Sequence, residues 1–200
     1  MKFVSQGEWA WTENAEIVGS WEKGYAFDIY STSSEYLGEN EFGKKIFKTS
    51  YTEIGELLHG MKYEGKENTC KKILNLCGPF LNKWLKDKHI DCVVPVPPTE
   101  ERTFQPVFVI AEAIAQYLGV AYSEKVLIKN SNITSKSLAK ANKDLTGKID
   151  KKKYANRHCN ILLIDDLYST GATVKACTEK LKEDSLIDNV YVFTVAKTRT

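Results

Sequence analysis

The chain has 200 residues, of which 42% are hydrophobic and 27% charged, with a formal net charge of +2. This composition excludes an intrinsically disordered chain and suffices for one domain with a buried core. The charge is too small to indicate nucleic-acid binding by itself, and no apolar run approaches the roughly 18 residues of a membrane span.

The N-terminal residues and the cysteines bear on the compartment. The stretch "MKFVSQGEWAWTENAE" lacks the apolar segment of a secretory signal, so we expect a cytoplasmic location. The chain has five cysteines, scattered along its length and without a C-x-x-C pair. An odd, dispersed set of cysteines argues against a disulfide framework and against a structural zinc site.

The N-terminal third predicts strands followed by helices. Alternating residues in "EWAWTE" and "KGYAFDIYSTSSEYL" indicate two or three antiparallel strands. The stretch "SYTEIGELLHGMKYEG" has an apolar stripe of helical period, with Ser50 or Thr52 as its N-cap. A second helical region covers about 68–88, where Gly78 and Pro79 predict a kink or a break into two helices.

The remaining chain alternates between strands and helices. Strands are predicted at 90–97, at 123–129, in "NILLIDD" and at 188–197. Helices are predicted at 106–119, between a proline and a glycine, and in "GATVKACTEKLKE". This order predicts a parallel sheet that is covered by helices on both faces.

A lysine-rich segment separates the second and third of these strands. Residues 125–153 contain nine lysines against two aspartates, Asp144 and Asp150. A connection of this length indicates function or disorder. A solvated surface is the most common interpretation of such a segment, and a lid that faces phosphate or a contact with nucleic acid are the alternatives.

The stretch "GENEFGKK" at 38–45 comes close to the spacing of a nucleotide-binding P-loop. Lys45 stands where that motif requires the serine or threonine that binds magnesium. No pattern of a strand before it and a helix after it is evident. We therefore interpret this stretch as a surface turn.

Residues 160–173, "NILLIDDLYSTGAT", place two aspartates between an apolar strand and a loop of small residues. Ligands of open parallel sheets bind beyond the carboxyl ends of the strands. There, Asp165 and Asp166 would accept hydrogen bonds from two neighbouring hydroxyls, such as those of a ribose. The loop and the start of the next helix offer backbone N–H groups, hydroxyls and a glycine, which suit a phosphate. The stretch therefore predicts a site for a phosphorylated sugar.

The segment "ILLIDDLYSTGAT" resembles the phosphoribosyl-pyrophosphate (PRPP) signature of type I phosphoribosyltransferases. That signature is an apolar strand, two acidic residues, two variable residues and then T/S-T/S-G-x-T. The segments "GELLHGMKYEG", "VVPVPPTEERTFQPVFVIAEAIAQYLG" and "VYVFTVAKTR" are similar to the ComF-like (competence-protein) branch of that family. The chain departs from this branch at 102–106, where only Arg102 and Phe104 agree with the R-G-F-N-Q-type turn. The cysteine zinc module of many ComF proteins is absent.

The resemblance implies an α/β fold, a Rossmann-like parallel sheet of the type I phosphoribosyltransferase kind with an N-terminal β-plus-helix hood. It divides the chain into a β-rich hood section (1–60), connecting helices (61–88) and a phosphoribosyltransferase-like core (89–200). It also implies transfer of a phosphoribosyl group from PRPP to a nitrogenous acceptor, with release of pyrophosphate.

The resemblance also assigns site residues. Asp165 and Asp166 would be the catalytic pair that holds the ribose hydroxyls. Mg²⁺ would bind through pyrophosphate and waters, with no direct protein ligand. The 5′-phosphate loop would consist of Ser169, Thr170, Gly171, Ala172 and Thr173. The pyrophosphate-binding residues would be Pro97, Pro98, Thr99, Arg102 and Lys129.

Two other functions stay open on the same residues. One is a non-catalytic sensor of PRPP or nucleotides, because a fold does not determine a function. The other is an accessory of DNA uptake or repair, with single-stranded DNA or a DNA-processing protein as partner, which the ComF likeness suggests. A homodimer is a further expectation, since dimers are the commonest symmetric oligomers.

Overall fold

A computed structural model of the chain describes residues 16–64, 68–98, 104–129 and 148–199. In these ranges the chain forms thirteen helices and strands. The helices are α1 (Glu53–Glu64), α2 (Asn68–Leu85), α3 (Pro106–Leu118) and α4 (Ala172–Lys182). The strands are β1 (Lys23–Ile29), β2 (Ser31–Glu39), β3 (Lys45–Tyr51), β4 (Cys92–Pro95), β5 (Ala121–Tyr122), β6 (Leu127–Lys129), β7 (Ile149–Lys151), β8 (Cys159–Tyr168) and β9 (Ile187–Lys197).

A five-stranded parallel sheet forms the centre of the fold. Its strand order is β1-β9-β8-β4-β5, and every neighbouring pair runs parallel. The predicted parallel α/β sheet is therefore confirmed. Because all five strands run in one direction, their carboxyl ends meet at a single edge, and this edge is where a ligand is expected.

Helices cover both faces of the sheet, as predicted. Leu162 and Ile164 of β8 pack in the same core as α1, α2 and α3, whereas Leu163 packs with α4 and with β7. Successive residues of a strand point to opposite faces, so β8 contributes to both cores in turn. Among the described helices, none is both long enough and apolar enough to cross a membrane.

Strand β1 corrects the prediction for the N-terminal third. It pairs in parallel with β9 and forms an edge of the central sheet, although an antiparallel strand was predicted there. Ala26 and Phe27 are buried in different cores, so β1 is covered on both faces, which is typical of a strand in a parallel sheet. The predicted antiparallel pairing holds for β2 and β3. The division at 60 and 88 stays a prediction, and its first section contains this strand of the sheet.

The hairpin of β2 and β3 turns at the stretch that resembled a P-loop. There, the side-chain oxygen of Asn40 accepts hydrogen bonds from the backbone N–H groups of Phe42 (3.0 Å) and Lys44 (2.9 Å). Phe42 and Lys44 are exposed. The prediction of a surface turn is confirmed.

The stretch 123–129 is not one strand of the central sheet. The strand beside β4 is β5, which lies just before that stretch. The later part, β6, pairs antiparallel with β7 in a separate two-stranded sheet. Lys125 between them has a φ of 59°, a left-handed conformation that interrupts an extended chain. Of the predicted strand 123–129, only Leu127–Lys129 is extended, and it belongs to a different sheet from the one predicted, while residues 124–126 form a turn.

The helices of the N-terminal half follow the sequence with one difference. Thr52, rather than Ser50, caps α1, because its Oγ1 accepts the backbone N–H of Gly55 at 3.0 Å. Helix α2 is continuous through Pro79, so the predicted alternative of two helices is wrong. Cys77, Phe80 and Leu81 are buried on either side of the proline, and this packing outweighs the lost backbone hydrogen bond.

Candidate functional site

The two aspartates lie within β8 and not beyond it. The pairing of β8 with β9 continues through Asp165 to Tyr168. Because neighbouring residues of a strand alternate between its faces, Asp165 and Asp166 leave the sheet in opposite directions. Asp166 lies on the face covered by α1, where it contacts Lys62, and Asp165 lies on the face of α4, close to Cys177.

Lys62 forms an ion pair with Asp166. Its Nζ lies 2.6 Å from Oδ2 of the carboxylate, and the two side chains are only 20% and 19% exposed. Helix α1 holds the lysine in place, because Leu58 and Met61 are fully buried in the core beneath it. The sequence analysis did not single out Lys62. The available signal was its position directly after Met61, at the rim of the apolar stripe of α1.

Asp165 is half-buried, as Asp166 is. Its Oδ1 accepts the backbone N–H of Asp166 at 2.8 Å. Burial raises the pKa of Asp165 well above the usual range, and the neighbouring charge of Asp166 raises it further, while the charge of Lys62 acts in the opposite direction. The pair therefore retains a proton in a pH range where an ordinary aspartate has lost it.

Lys129 and Cys177 lie on the same side of the sheet as Asp165. Burial raises the pKa of the Cys177 thiol beyond its ordinary range, and the charge of Asp165 acts in the same direction. Burial also lowers the pKa of Lys129, whose charge acts on Cys177. Lys129 ends β6, outside the central sheet, and not the second strand of the sheet as predicted.

The loop after β8 leads directly into α4. Ser169 and Thr170 are exposed, and Gly171 precedes the helix with a φ of 76°. The Oγ1 of Thr170 accepts the backbone N–H of Ala172 at 3.4 Å. Gly171 makes no side-chain cap bond to the helix, and Thr173 already lies in the first turn of α4. The N–H groups of this turn are suited to an anion.

Pro97 and Pro98 approach the same edge from β4. The backbone N–H of Val96 donates to the carbonyl of Ile164 at 2.9 Å, so the chain leaves β4 beside the residue that precedes Asp165. Pro97 is buried and Pro98 half-buried. The structure thus brings the aspartates, the loop 169–173 and these two prolines to one edge. Thr99, Arg102 and residues 130–147 of the lysine-rich segment lie outside the described residues.

Comparison with known proteins gives a relative in sequence and several in structure. No family model matches the chain. The competence protein ComFC of Bacillus subtilis (strain 168) is 30% identical to it over 143 residues. The match covers 71% of this chain and 59% of ComFC, so the chain spans less than two thirds of that relative.

Solved structures of low sequence identity are also similar. An adenine phosphoribosyltransferase has a TM-score of 0.47 and 17% identity, covering 85% of this chain and 87% of its own. The adenine phosphoribosyltransferase of Saccharomyces cerevisiae has a TM-score of 0.45 and 16% identity, covering 84% and 92%. A hypoxanthine phosphoribosyltransferase of Staphylococcus aureus has a TM-score of 0.43 and 18% identity, covering 62% of each chain.

The strand order, the two aspartates and the glycine loop before α4 define an α/β protein with a parallel sheet and a candidate ligand site at its carboxyl edge. Within that class, the sequence match to ComFC agrees with the motifs at the ends of β4 and β8. The chain is therefore related in sequence to a ComF-like protein.

Proposed function

We propose that the protein binds PRPP and transfers its phosphoribosyl group to a nitrogenous acceptor, with release of pyrophosphate. One observation supports this most directly. The loop 169–173 opens onto the N-terminus of α4 immediately after the two aspartates, at the carboxyl edge of a parallel sheet. A phosphate and a sugar diol, separated as in a ribose 5-phosphate, fit these two neighbouring groups.

Each part of the ligand would use a different part of this edge. The N–H groups at the start of α4 and the exposed hydroxyls of Ser169 and Thr170 would bind the 5′-phosphate. Asp165 and Asp166 would take the ribose hydroxyls from the two sides of the strand end. Pro97 and Pro98 would line the pyrophosphate subsite, with Lys129, Thr99 and Arg102 as the further proposed residues.

The reaction needs no protein nucleophile. The acceptor nitrogen would form a bond to C1 of the ribose with its lone pair, while the bond from C1 to the pyrophosphate oxygen breaks and the pyrophosphate leaves with that electron pair. The protein would contribute by holding the two reactants in line and by stabilising the charge that separates between ribose and pyrophosphate. The basic loop 130–156 is proposed to close over the site and exclude water.

Mg²⁺ is proposed to bind with the substrate. Within the described ranges, no three or more His, Cys, Asp or Glu side chains are grouped closely enough to hold a metal ion. Asp166 already carries the Lys62 ammonium. The proposal places the ion on pyrophosphate oxygens and waters, which Mg²⁺ prefers. When bound, it would neutralise charge on the leaving group.

The test is calorimetric titration of the purified protein with PRPP and Mg²⁺. We expect saturable binding by the wild type and a loss of at least roughly tenfold in the double variant Asp165→Asn/Asp166→Asn, which corresponds to about 1.4 kcal/mol. Asp188→Asn is the matched control, because Asp188 lies at the opposite, amino end of β9. Equal binding by all three proteins, or none by the wild type at millimolar PRPP, would refute the proposal.

Two further measurements separate the alternatives. Release of pyrophosphate in the presence of candidate nitrogenous acceptors distinguishes a transferase from a non-catalytic PRPP sensor. The relation to a competence protein supports single-stranded DNA or a DNA-processing protein as the second candidate partner. Binding of single-stranded DNA that weakens steeply with salt would favour that candidate. A cytoplasmic location and a homodimer belong to the same proposal.

A further inference from the structure

We propose that Lys62 is a positioning residue of this site, whose ammonium holds the carboxyl of Asp166 in place and whose charge acts on the aspartate pair. The inference deepens the proposed function, because it concerns the carboxyls that would hold the ribose hydroxyls. The protonation of the pair can nevertheless be measured without any ligand. It can therefore be tested separately from PRPP binding.

The geometry places the ammonium on one carboxyl only. Lys62 Nζ lies 2.6 Å from Asp166 Oδ2, which is a short, charge-assisted contact. About four fifths of each side chain is covered, so water replaces this contact poorly. The lysine enters from α1, whose N-terminus is capped by Thr52 and whose inner face is buried. Its position is therefore set by the helix rather than by a flexible surface chain.

The charged and titratable groups around the pair are few. On the α1 face, Asp166 meets Lys62, and along its own strand it meets Asp165. On the other face, Asp165 meets Cys177 of α4, a buried thiol, and Lys129 of β6 acts on that thiol. Two adjacent carboxyls in covered surroundings resist ionising together. Lys62 contacts Asp166 directly, and its charge also acts on Asp165, whose pKa burial raises.

This arrangement has a consequence for the ligand. Asp166 would be an acceptor, and protonated Asp165 would be able to donate a hydrogen bond. A vicinal diol offers both donors and acceptors, so it matches one ionised and one protonated carboxyl. Removing the charge of Lys62 while keeping the volume of its side chain should raise the pKa of Asp165 further. It should also weaken the binding of a phosphorylated ribose by at least roughly tenfold, because a charge-assisted contact in a covered site is lost.

The experiment begins with the ligand-free protein. Carboxyl ¹³C chemical shifts of labelled aspartates are followed from about pH 4 to pH 9, a range that brackets ordinary and raised aspartate values. Asp165→Asn and Asp166→Asn assign the two signals. The test variants are Lys62→Met and Lys62→Arg. The control is Lys71→Met, because Lys71 is exposed on α2. Thermal unfolding confirms that each variant is folded.

We expect Asp165 to titrate with the same midpoint in the wild type, in Lys62→Arg and in Lys71→Met. In Lys62→Met, the midpoint of Asp165 should move to higher pH, because the charge of Lys62 lowers the pKa of this carboxyl. Unchanged midpoints in Lys62→Met would overturn the inference. A lysine that merely stabilises the fold would alter the unfolding temperature and leave these midpoints in place.

Calorimetry with PRPP and Mg²⁺ then links the proton to binding. Lys62→Met should bind at least roughly tenfold more weakly and with an altered pH dependence, while Lys62→Arg restores most of the affinity. Wild-type binding with unchanged affinity and pH dependence in Lys62→Met would overturn the role of Lys62 and leave the proposed function standing. An absence of binding by the wild type would refute PRPP as the ligand, and the carboxyl titration would then decide the inference on Lys62 by itself.

Discussion

The ring of Tyr168 lies directly against Gly171, in the space that a side chain at position 171 would occupy. A Cβ added to Gly171 would lie 2.8 Å from Cζ of Tyr168, closer than such atoms approach one another. The same residue has a φ of 76°, in the region that glycine adopts most readily. The last residue of β8 and the residue before α4 are thus in close contact, which determines the shape of the candidate phosphate loop.

Gly171→Ala should impair this loop. We expect it to lower the affinity for PRPP by at least roughly tenfold and to destabilise the protein by about 1–3 kcal/mol. The new methyl group must displace the ring of Tyr168, and the alanine must adopt a left-handed backbone conformation. Calorimetry and urea denaturation measure the two effects.

Gly43→Ala is the matched control for Gly171→Ala. Gly43 has a φ of 69°, but no atom lies within 4 Å of an added Cβ. Gly43→Ala therefore introduces the strain of a left-handed alanine, in the turn between β2 and β3, without a collision between the new Cβ and a neighbouring side chain. Equal losses of PRPP affinity in both variants, or none in Gly171→Ala, would contradict the contact with Tyr168 as the cause.

The side chain of Thr52 connects the end of β1 to the start of α1. Its hydroxyl donates to the carbonyl of Ile29 at 2.6 Å and accepts the N–H of Gly55 at 3.0 Å. Thr52→Ala should lower the free energy of unfolding by about 1–2 kcal/mol, as measured by urea denaturation, because it removes the N-cap. Thr52→Ser retains the hydroxyl and should lose only a few tenths of a kcal/mol. A serine variant as unstable as the alanine variant would show that the methyl group, and not the cap, is responsible.

A buried ion pair holds β7 to the turn that follows α4. Lys151 Nζ lies 2.9 Å from Asp184 Oδ2, and the two side chains are 3% and 9% exposed. Hydrogen bonds from the Ala155 N–H and from Lys151 lower the pKa of Asp184 to about 2. Asp184→Asn leaves the lysine buried without a counter-charge and should destabilise the protein by about 3 kcal/mol at neutral pH.

The pH dependence of this loss follows from the sign of the shift. A carboxyl with a depressed pKa stabilises the folded state above its unfolded value of about 3.9, and this contribution disappears as the pH falls toward 2. Denaturant melts of wild type and Asp184→Asn should therefore converge between about pH 4 and pH 2. A difference that stays constant over this range would exclude the ion pair as its source.

Asp28 shows the opposite behaviour at the end of β1. Its Oδ1 accepts the N–H of Ile29 at 2.7 Å, yet the side chain is buried, and this burial raises the pKa of Asp28. A carboxyl with a raised pKa favours the folded state below its unfolded value, and this preference is lost as the pH rises through the folded value.

Asp28→Asn should therefore be more stable than the wild type near pH 7. The gain should vanish toward about pH 3, where Asp28 is protonated in both the folded and the unfolded protein. Thermal unfolding at several pH values measures the difference. A stability advantage that grows on acidification would contradict the assignment. Asp188→Asn is again the control, since Asp188 is exposed at the opposite edge of the sheet.

Features determined by a few neighbouring residues could be predicted from the sequence. The cap at Thr52, the end of α3 at Gly119 and the strand, loop and helix of 160–173 follow from local hydrogen bonding, backbone freedom and hydrophobic period. The parallel order of the core strands also followed, because strands that alternate with helices leave little choice of topology. The pattern at 160–173 therefore indicated the candidate site without any knowledge of the fold.

Only the tertiary structure decided which distant segments meet. The alternating sequence pattern of β1 is compatible with the hairpin sheet of β2 and β3 and with the central parallel sheet. Its pairing with β9 depends on both faces of β1 being covered. The period of β8 sends Asp165 and Asp166 to opposite faces, but the partner of Asp166 depends on how α1 packs across the carboxyl edge. Local patterns specify the conformation of each segment, whereas strand pairing and ion pairs between distant residues depend on the packing of the whole core.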